Sequence, residues 1–330
     1  MTNFSALVVD QVEEDVQVDI KKLTEDDLPE GDILIRVHYS SVNYKDGLAS
    51  IPDGNIVKSY PFVPGIDLAG TIVSSKSEQF SEGEEVLITG YDLGVTHYGG
   101  FSEYARVPEE WVVRLPKNLS LKEAMAYGTA GFTAALSVYR LEEHGLSPDR
   151  GSILVTGATG GVGSLAVSIL AKRGYDVVAS TGKETEHDYL KKLGAKDVID
   201  RKELQPEKIR PLNRQLWAGA VDPVGGKILA HVLSSIKYGG AVAVSGLTGG
   251  VQLPASVFPF ILRGVNLLGV DSVFCPMDLR VKLWDKMANE YKPDHLTNDI
   301  SKEISLEELP ELLAHTVKGK SKGRNVVKME

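Results

Sequence analysis

Along the first third of the chain, apolar and polar positions alternate over short stretches broken by Gly and Pro. "SALVVD", "DILIRVHY", "DLAGTIVSS", "EVLITG", "FSEYARV" and "WVVRL" are rich in β-branched residues, and a period of two predicts strands. Short strands separated by turn signals predict a small barrel-type β domain over residues 1–123. From residue 124 the texture changes, and "AMAYGTAGFTAALSVYRLEEHGL" spaces small and apolar residues as a helix does. Beyond it "SILVTG", "DVVAST", "KDVID", "WAGAVDPV" and "GAVAVSG" predict buried strands, separated by the helical stretches "VGSLAVSILAKRG", "ETEHDYLKKLG" and "GGKILAHVLSSI". Such alternation implies parallel βαβ units and a doubly wound sheet over 124–270, with "GVNLLGVD" as its last strand. Residues 271–330 read as a return segment to the first domain: two amphipathic helices, "MDLRVKLWDKMANEY" and "LEELPELLAHTV", then the strand "RNVVKM". The expected class is α/β.

A length of 330 residues agrees with two domains rather than one. The net charge of −9 excludes the concentrated Lys and Arg that nucleic-acid or polybasic membrane binding needs. Cys275 is the only cysteine, so no intrachain disulfide can form, and a reducing, cytoplasmic setting is expected. "MTNFSALVVDQVEED" lacks the basic start of a secretory signal, and no apolar run approaches the roughly 18 residues of a membrane span.

The segment "SILVTGATGGVGSLAVSILAKRG" supplies strand, glycine turn and helix in the order a dinucleotide site requires. Gly157, Gly160 and Gly163 recur at intervals of three, so Thr159, Gly160, Gly161, Val162 and Gly163 are the candidate pyrophosphate contacts. The absence of a "GK[ST]" ending excludes a nucleoside-triphosphate loop. The string also fits the short-chain dehydrogenase pattern, which places its motif near the N-terminus and needs a downstream Tyr-x-x-x-Lys. Here the motif begins halfway along, and none of the twelve tyrosines has Lys four residues later. A Rossmann site for NAD sets a carboxylate about 20 residues after the glycines, for the ribose 2′-hydroxyl. This chain has Ser180, Thr181, Gly182 and Lys183 there, with Arg201 past the next strand, so a 2′-phosphate and hence NADPH are expected.

"SSVNYKDGLAS" packs Asn43, Tyr44, Lys45 and Asp46 between a strand and a glycine. Alone it reads equally as a polar surface turn. A β domain, a central Rossmann domain and a return segment together resemble the medium-chain dehydrogenase/reductase superfamily, whose first domain is GroES-like. "SSVNYKDGLA", "PGIDLAGTI", "THYGGFSEYARV", "GTAGFTA", "TGATGGVGS", "WAGAVDPVGG", "FPFILRGVNLLGVDSV" and "GRNVVKM" are similar to its zinc-free quinone oxidoreductase branch, in particular the acryloyl-CoA reductase-like subgroup. Zinc members of the superfamily use Cys, His and Cys, the His from "GHE". Here "GID" puts Ile66 and Asp67 in the last two places of that motif, Asn43 stands at the first cysteine position, and the stretch around Ala126 lacks the second. No metal is expected.

Without a Lewis acid, an activated acceptor is the more plausible substrate: a quinone, or a C=C bond conjugated to a carbonyl, as in acryloyl-CoA. Hydride from NADPH at an interdomain cleft is the expected reaction. Tyr44 is the candidate for orienting cofactor or substrate and donating a proton, Asn43 for bonding a carbonyl, and Asp46 for bracing the turn, with a smaller prospect of chemistry. The resemblance implies further cofactor contacts at Thr129, Ser245, Gly246 and Leu247, and a homodimer formed through the apolar strand of "FILRGVNLLGVDSV". For the phosphates of a CoA substrate, Arg263, Lys320, Lys322 and Arg324 are candidates. The alternative is a non-catalytic NADPH-binding sensor or scaffold, against which the intact cluster at 43–46 speaks.

Overall fold

The buried runs of the second half of the chain pair into a single parallel sheet. In the computed structural model, which describes residues 3–329, its strands are Ile153–Val155, Val177–Thr181, Asp197–Asp200, Trp217–Asp222, Ile236–Val244 and Asn266–Gly269. Taken in chain order they lie 3-2-1-4-5-6, and every neighbouring pair is parallel. This is the doubly wound order, which reverses beside the first strand and opens a crevice there. Ile153–Val155 and Trp217–Asp222 are buried at every position, as expected where helices cover both faces. Asp197–Asp200, at one edge, is exposed at both ends. Leu154, Ala220 and Val242 pack against Ile228, Leu229, Val232 and Leu233 of the helix Gly226–Ser235.

The first half folds around a seven-stranded sheet whose path runs Ser301–Ser305, Arg324–Lys328, Ile33–Ser41, Asp67–Ser75, Glu85–Thr89 and Val113–Arg114, with Tyr104–Val107 also paired to Ile33–Ser41. The last strand, Arg324–Lys328, lies antiparallel to the end of Ile33–Ser41, with Val326 opposite Ser41. That pairing carries Arg324 to the start of the polar cluster. Phe4–Val12 pairs with Asp15–Leu23 as an antiparallel hairpin. The partner strand was not foreseen, because its exposed polar positions dilute the apolar signal. Leu7, Val9, Ile33, Ile35, Leu68, Ile88, Phe101 and Val327 form the core here.

Two units result. One comprises residues up to Thr129, Val273–Ala288 and residues from Leu296 on; the other comprises Ala130–Ser272 and Asn289–His295. The sequence boundary at 123/124 falls inside the helical stretch Leu121–Glu143, whose path is interrupted at Gly128 (φ 52°, ψ −158°), next to the observed division. Residues 289–295 group with the second unit rather than with the rest of the return segment. There the Tyr291 hydroxyl donates to Glu142 at 2.7 Å, and Lys172 pairs with Asp294 at 2.8 Å. Among the described residues no helix is long and apolar enough to cross a membrane.

Candidate active site

The polar cluster is the start of a short helix, Tyr44–Leu48, with Asn43 as its N-cap. Asp46, three residues after the cap, closes the turn: its Oδ2 accepts from the Asn43 backbone N–H at 2.7 Å. Its Oδ1 accepts from the Ile66 N–H at 2.9 Å, pinning the helix start to the "GID" segment. Asp46 is fully buried, and that burial, followed by the nearby Asp67 carboxylate, pushes its pKa up to about 7.

Asp67 is the hub. Its Oδ2 accepts from Ser41 Oγ (2.6 Å), Asn43 Nδ2 (2.7 Å) and the Thr129 N–H (2.9 Å), while Oδ1 accepts from Thr129 Oγ1 (2.5 Å). The Arg324 guanidinium, 3.6 Å away, donates to Val42 O, Asn43 Oδ1 and Ser41 Oγ. Two carboxylates and one guanidinium, all buried, are electroneutral together when Asp46 carries a proton. Gly128 sits against this cluster: a Cβ there would come within 2.3 Å of Ser41 Oγ and 2.4 Å of Asp67 Oδ2. Asn43 has both amide hydrogens donated, to Asp67 and to the Ser41 carbonyl, and its oxygen taken by Arg324. Tyr44 alone of the first three cluster residues is exposed, at 46 %.

The donor set does not fit a catalytic zinc. Where the metal's ligands would stand are an amide engaged on three sides, an isoleucine and an alanine, with a guanidinium in the same cluster.

Protonation of Asp46 should be measurable. Its folded pKa lies above the carboxylate's unfolded value of 3.8, so the folded chain binds the extra proton between about pH 4 and 7. The Asp46 contribution is therefore complete below that window and is lost as pH rises through 7, by up to about 1.4 kcal/mol per pH unit. Asp46→Asn loses one acceptor and should be less stable throughout. Urea unfolding at pH 5 and pH 8 should nevertheless show the wild type losing stability relative to the variant; parallel profiles would place the proton elsewhere.

In the second unit, the glycine turn has the shape a pyrophosphate needs. Gly157 has φ +54°, and a Cβ at Gly163 would come within 2.3 Å of the Gly157 carbonyl, so strand and helix approach closely. At Gly160, by contrast, the nearest atom to a built Cβ is 3.4 Å away, which leaves that face of the turn open. The helix Gly161–Lys172 begins there without a side-chain cap on its free N–H groups. Ser180 and Thr181 are buried and hold the turn: the Ser180 carbonyl accepts from Ala158, and Thr181 Oγ1 lies 3.4 Å from Thr159 Oγ1. Gly182 is exposed, and the Arg201 guanidinium lies 3.0 Å from where its Cβ would be. At the end of the fifth strand the buried Ser245 Oγ has no hydrogen-bond partner among the described residues. Gly246 rests on the Pro223 carbonyl, and Leu247 is exposed. An open glycine cradle, an orphaned hydroxyl and a cation beside Gly182 fit a dinucleotide.

Sheet order, glycine turn and buried cluster together define a dehydrogenase/reductase with a GroES-like first domain, and the chain belongs to the medium-chain dehydrogenase/reductase superfamily, in its quinone oxidoreductase and acrylyl-CoA reductase-like subgroup. The family model of the alcohol dehydrogenase GroES-like domain matches residues 29–117, and that of zinc-binding dehydrogenase matches residues 161–289. YhfP of Bacillus subtilis (strain 168), provisionally named a quinone oxidoreductase, is 58 % identical over 99 % of each chain. Its crystal structure, described with NAD bound, superposes with a TM-score of 0.98 over 100 % of both chains. The acrylyl-CoA reductase AcuI of Ruegeria pomeroyi is 50 % identical over 98 % of each chain. YhdH of Escherichia coli K-12, solved with bound NADPH, is 47 % identical, with a TM-score of 0.95 over 98 % of this chain and 100 % of that one.

The role of Arg324 differs from the sequence expectation. Arg324, expected as a phosphate contact, is 3 % exposed and engaged with the cluster. Arg263, expected likewise, donates to the carbonyls of Ser234, Ile236 and Asn213. The only advance signal for Arg324 is an arginine opening an apolar strand.

Proposed function

We propose that this chain is an NADPH-dependent reductase of activated acceptors, with an α,β-unsaturated thioester of the acryloyl-CoA kind favoured over a quinone. The observation that carries the cofactor assignment is Arg201 lying against Gly182, with Lys183 next to it, where an NAD site would set a carboxylate. Similarity to an acrylyl-CoA reductase over 98 % of each chain, at 50 % identity, supports the substrate class.

Bound NADPH supplies the hydride. Thr159, Gly160, Gly161, Val162 and Gly163 present backbone to the pyrophosphate, Ser180 and Thr181 shape the adenosine end, and Ser245, Gly246 and Leu247 face the nicotinamide half. Tyr44 offers an exposed phenolic O–H as donor to the carbonyl oxygen on which charge develops. Asn43 and Asp46 are positioning residues that fix the helix start from which Tyr44 projects, and Thr129 serves that brace through Asp67.

NADPH oxidation with acryloyl-CoA and with a simple quinone, compared as kcat/KM, tests the reading. A preference for the thioester supports it, and turnover of neither would remove it. Tyr44→Phe should lower kcat by about 10²–10³-fold, as loss of one transition-state donor does, with unfolding unchanged. Unaltered kinetics on both acceptors would take Tyr44 out of the reaction.

A homodimer is the proposed form. Val257, Ile261 and Leu262 are each more than half exposed beside the edge strand Asn266–Gly269, an edge with no further strand on it among the described residues, which a second copy could cover. Sedimentation at twice the chain's mass would agree, and a monomer would not. The single cysteine supports a cytoplasmic location, which cell fractionation would check.

A further inference from the structure

We propose that the loop of residues 318–323 docks the phosphate-bearing end of an acyl-CoA thioester, with Lys318 and Lys320 as its cations. The proposal rests on the thioester reading above and adds a subsite to it.

The loop is tied at both ends to the segment that bears Tyr44. At its entry, the helix Leu309–Val317 packs against Tyr44–Leu48 so closely that a Cβ on Gly47 would come within 2.8 Å of Val317 Cγ2 and 3.2 Å of the Leu313 carbonyl. At its exit, Arg324 donates to Val42 O at 2.8 Å and to Asn43 Oδ1 at 3.1 Å. Between these anchors the chain turns at Gly319 (φ +67°) and Gly323 (φ +57°). Thr316 Oγ1 and Ser321 Oγ lie 3.0 Å apart, and the Lys320 N–H donates to the His315 carbonyl, so the loop is fastened internally as well.

Its charge is unlike the rest of the chain. No Asp or Glu lies between Glu311 and Glu330, whereas Lys318, Lys320, Lys322, Arg324 and Lys328 do, in a protein of net charge −9. Arg324 is neutralised within the buried cluster. Lys318 and Lys320 are exposed, and neither side chain forms an ion pair or hydrogen bond among the described residues; the same holds for the half-exposed Lys45 beside Tyr44. A lysine at a helix C-terminus alone would be ordinary. A second one past the cap, on a loop tied to the Tyr44 segment, and a third next to Tyr44 in the chain put three such cations on adjoining elements.

An acyl-CoA carries its reacting acyl group at one end and its phosphates at the other. The connecting arm is about as long as five extended residues, roughly 17 Å. With the acceptor at Tyr44, such an arm is long enough to carry its phosphates past the reacting end to a neighbouring loop. Lysines bind phosphate as point charges and raise the local concentration of an anionic substrate. A quinone has no such charge, so the loop would distinguish the two acceptor classes.

The test is the double variant Lys318→Glu/Lys320→Glu, assayed by NADPH oxidation with acryloyl-CoA and with a quinone at low and high salt. At low salt KM for acryloyl-CoA should rise about tenfold, with kcat, the quinone KM and the NADPH KM unchanged. The wild-type KM for the thioester should also rise with salt, and that of the variant should not. An unchanged KM for acryloyl-CoA, or an equal rise for all three ligands, would overturn the proposal. Should the wild type reduce quinones but not acryloyl-CoA, the thioester reading fails, and calorimetric titration of the NADPH-loaded protein with free CoA decides the subsite. Binding lost in the variant upholds it; no binding by the wild type ends it.

Discussion

Replacing Arg324 with methionine is expected to lower the free energy of unfolding by about 3–5 kcal/mol, the usual result of removing one partner from a buried charge group. Arg324 is 3 % exposed and holds Val42 O, Asn43 Oδ1 and Ser41 Oγ, with Asp67 at 3.6 Å. Methionine fills much of the volume but leaves Asp67 and Asp46 buried with no cation. The nearest relief is for the pair of carboxylates together to take up a second proton, so the loss should shrink as pH falls from 8 to 5. Arg324→Lys keeps the charge without the planar fork, and should fall between wild type and methionine. Urea unfolding of the three proteins at both pH values measures this. A loss under about 1 kcal/mol with no pH dependence would mean that the cluster does not need its guanidinium.

Removing the basic pair with Lys183→Ala/Arg201→Ala is expected to reduce kcat/KM for NADPH by about 10²–10⁴, leaving NADH within about twofold. A charge-assisted hydrogen bond contributes roughly 1.5–3 kcal/mol, so two contacts to a 2′-phosphate account for that range. The guanidinium of Arg201 already lies against Gly182, so little reorganisation opposes the contact. The comparison has a particular point here, because YhfP is described with NAD bound and YhdH with NADPH. Steady-state kinetics with both cofactors decide it. If NADH falls in proportion, the pair shapes the loop rather than reading the phosphate.

Strand and helix periodicity made the sheet readable in advance, including the Rossmann strands and the strand 67–75, whose bounds agree to the residue. The glycine turn was legible because its chemistry is local: strand, turn and helix are contiguous, and glycine is the residue the conformation demands. The segment 43–46 was legible only as a list of polar side chains. Nothing in "NYKD" says that Asp46 faces the Ile66 N–H or that the Asn43 amide is engaged on three sides.

The sequence by itself determined the class of fold, the dinucleotide turn, the absence of thiol and imidazole ligands at the zinc positions, and the basic residues at the end of the second Rossmann strand. Tertiary structure decided which polar groups are committed and which are available. Arg324 reaches the cluster because the last strand pairs with Ile33–Ser41, nearly three hundred residues earlier in the chain. Gly128 can have no side chain because Ser41 and Asp67 lie where its Cβ would be. Hydrophobic periodicity and turn chemistry act between near neighbours and are written in order along the chain. Burial of charge depends on the sum of all groups that a pairing brings together, so only the folded chain could show Asn43 and Asp46 holding still and Tyr44 left exposed.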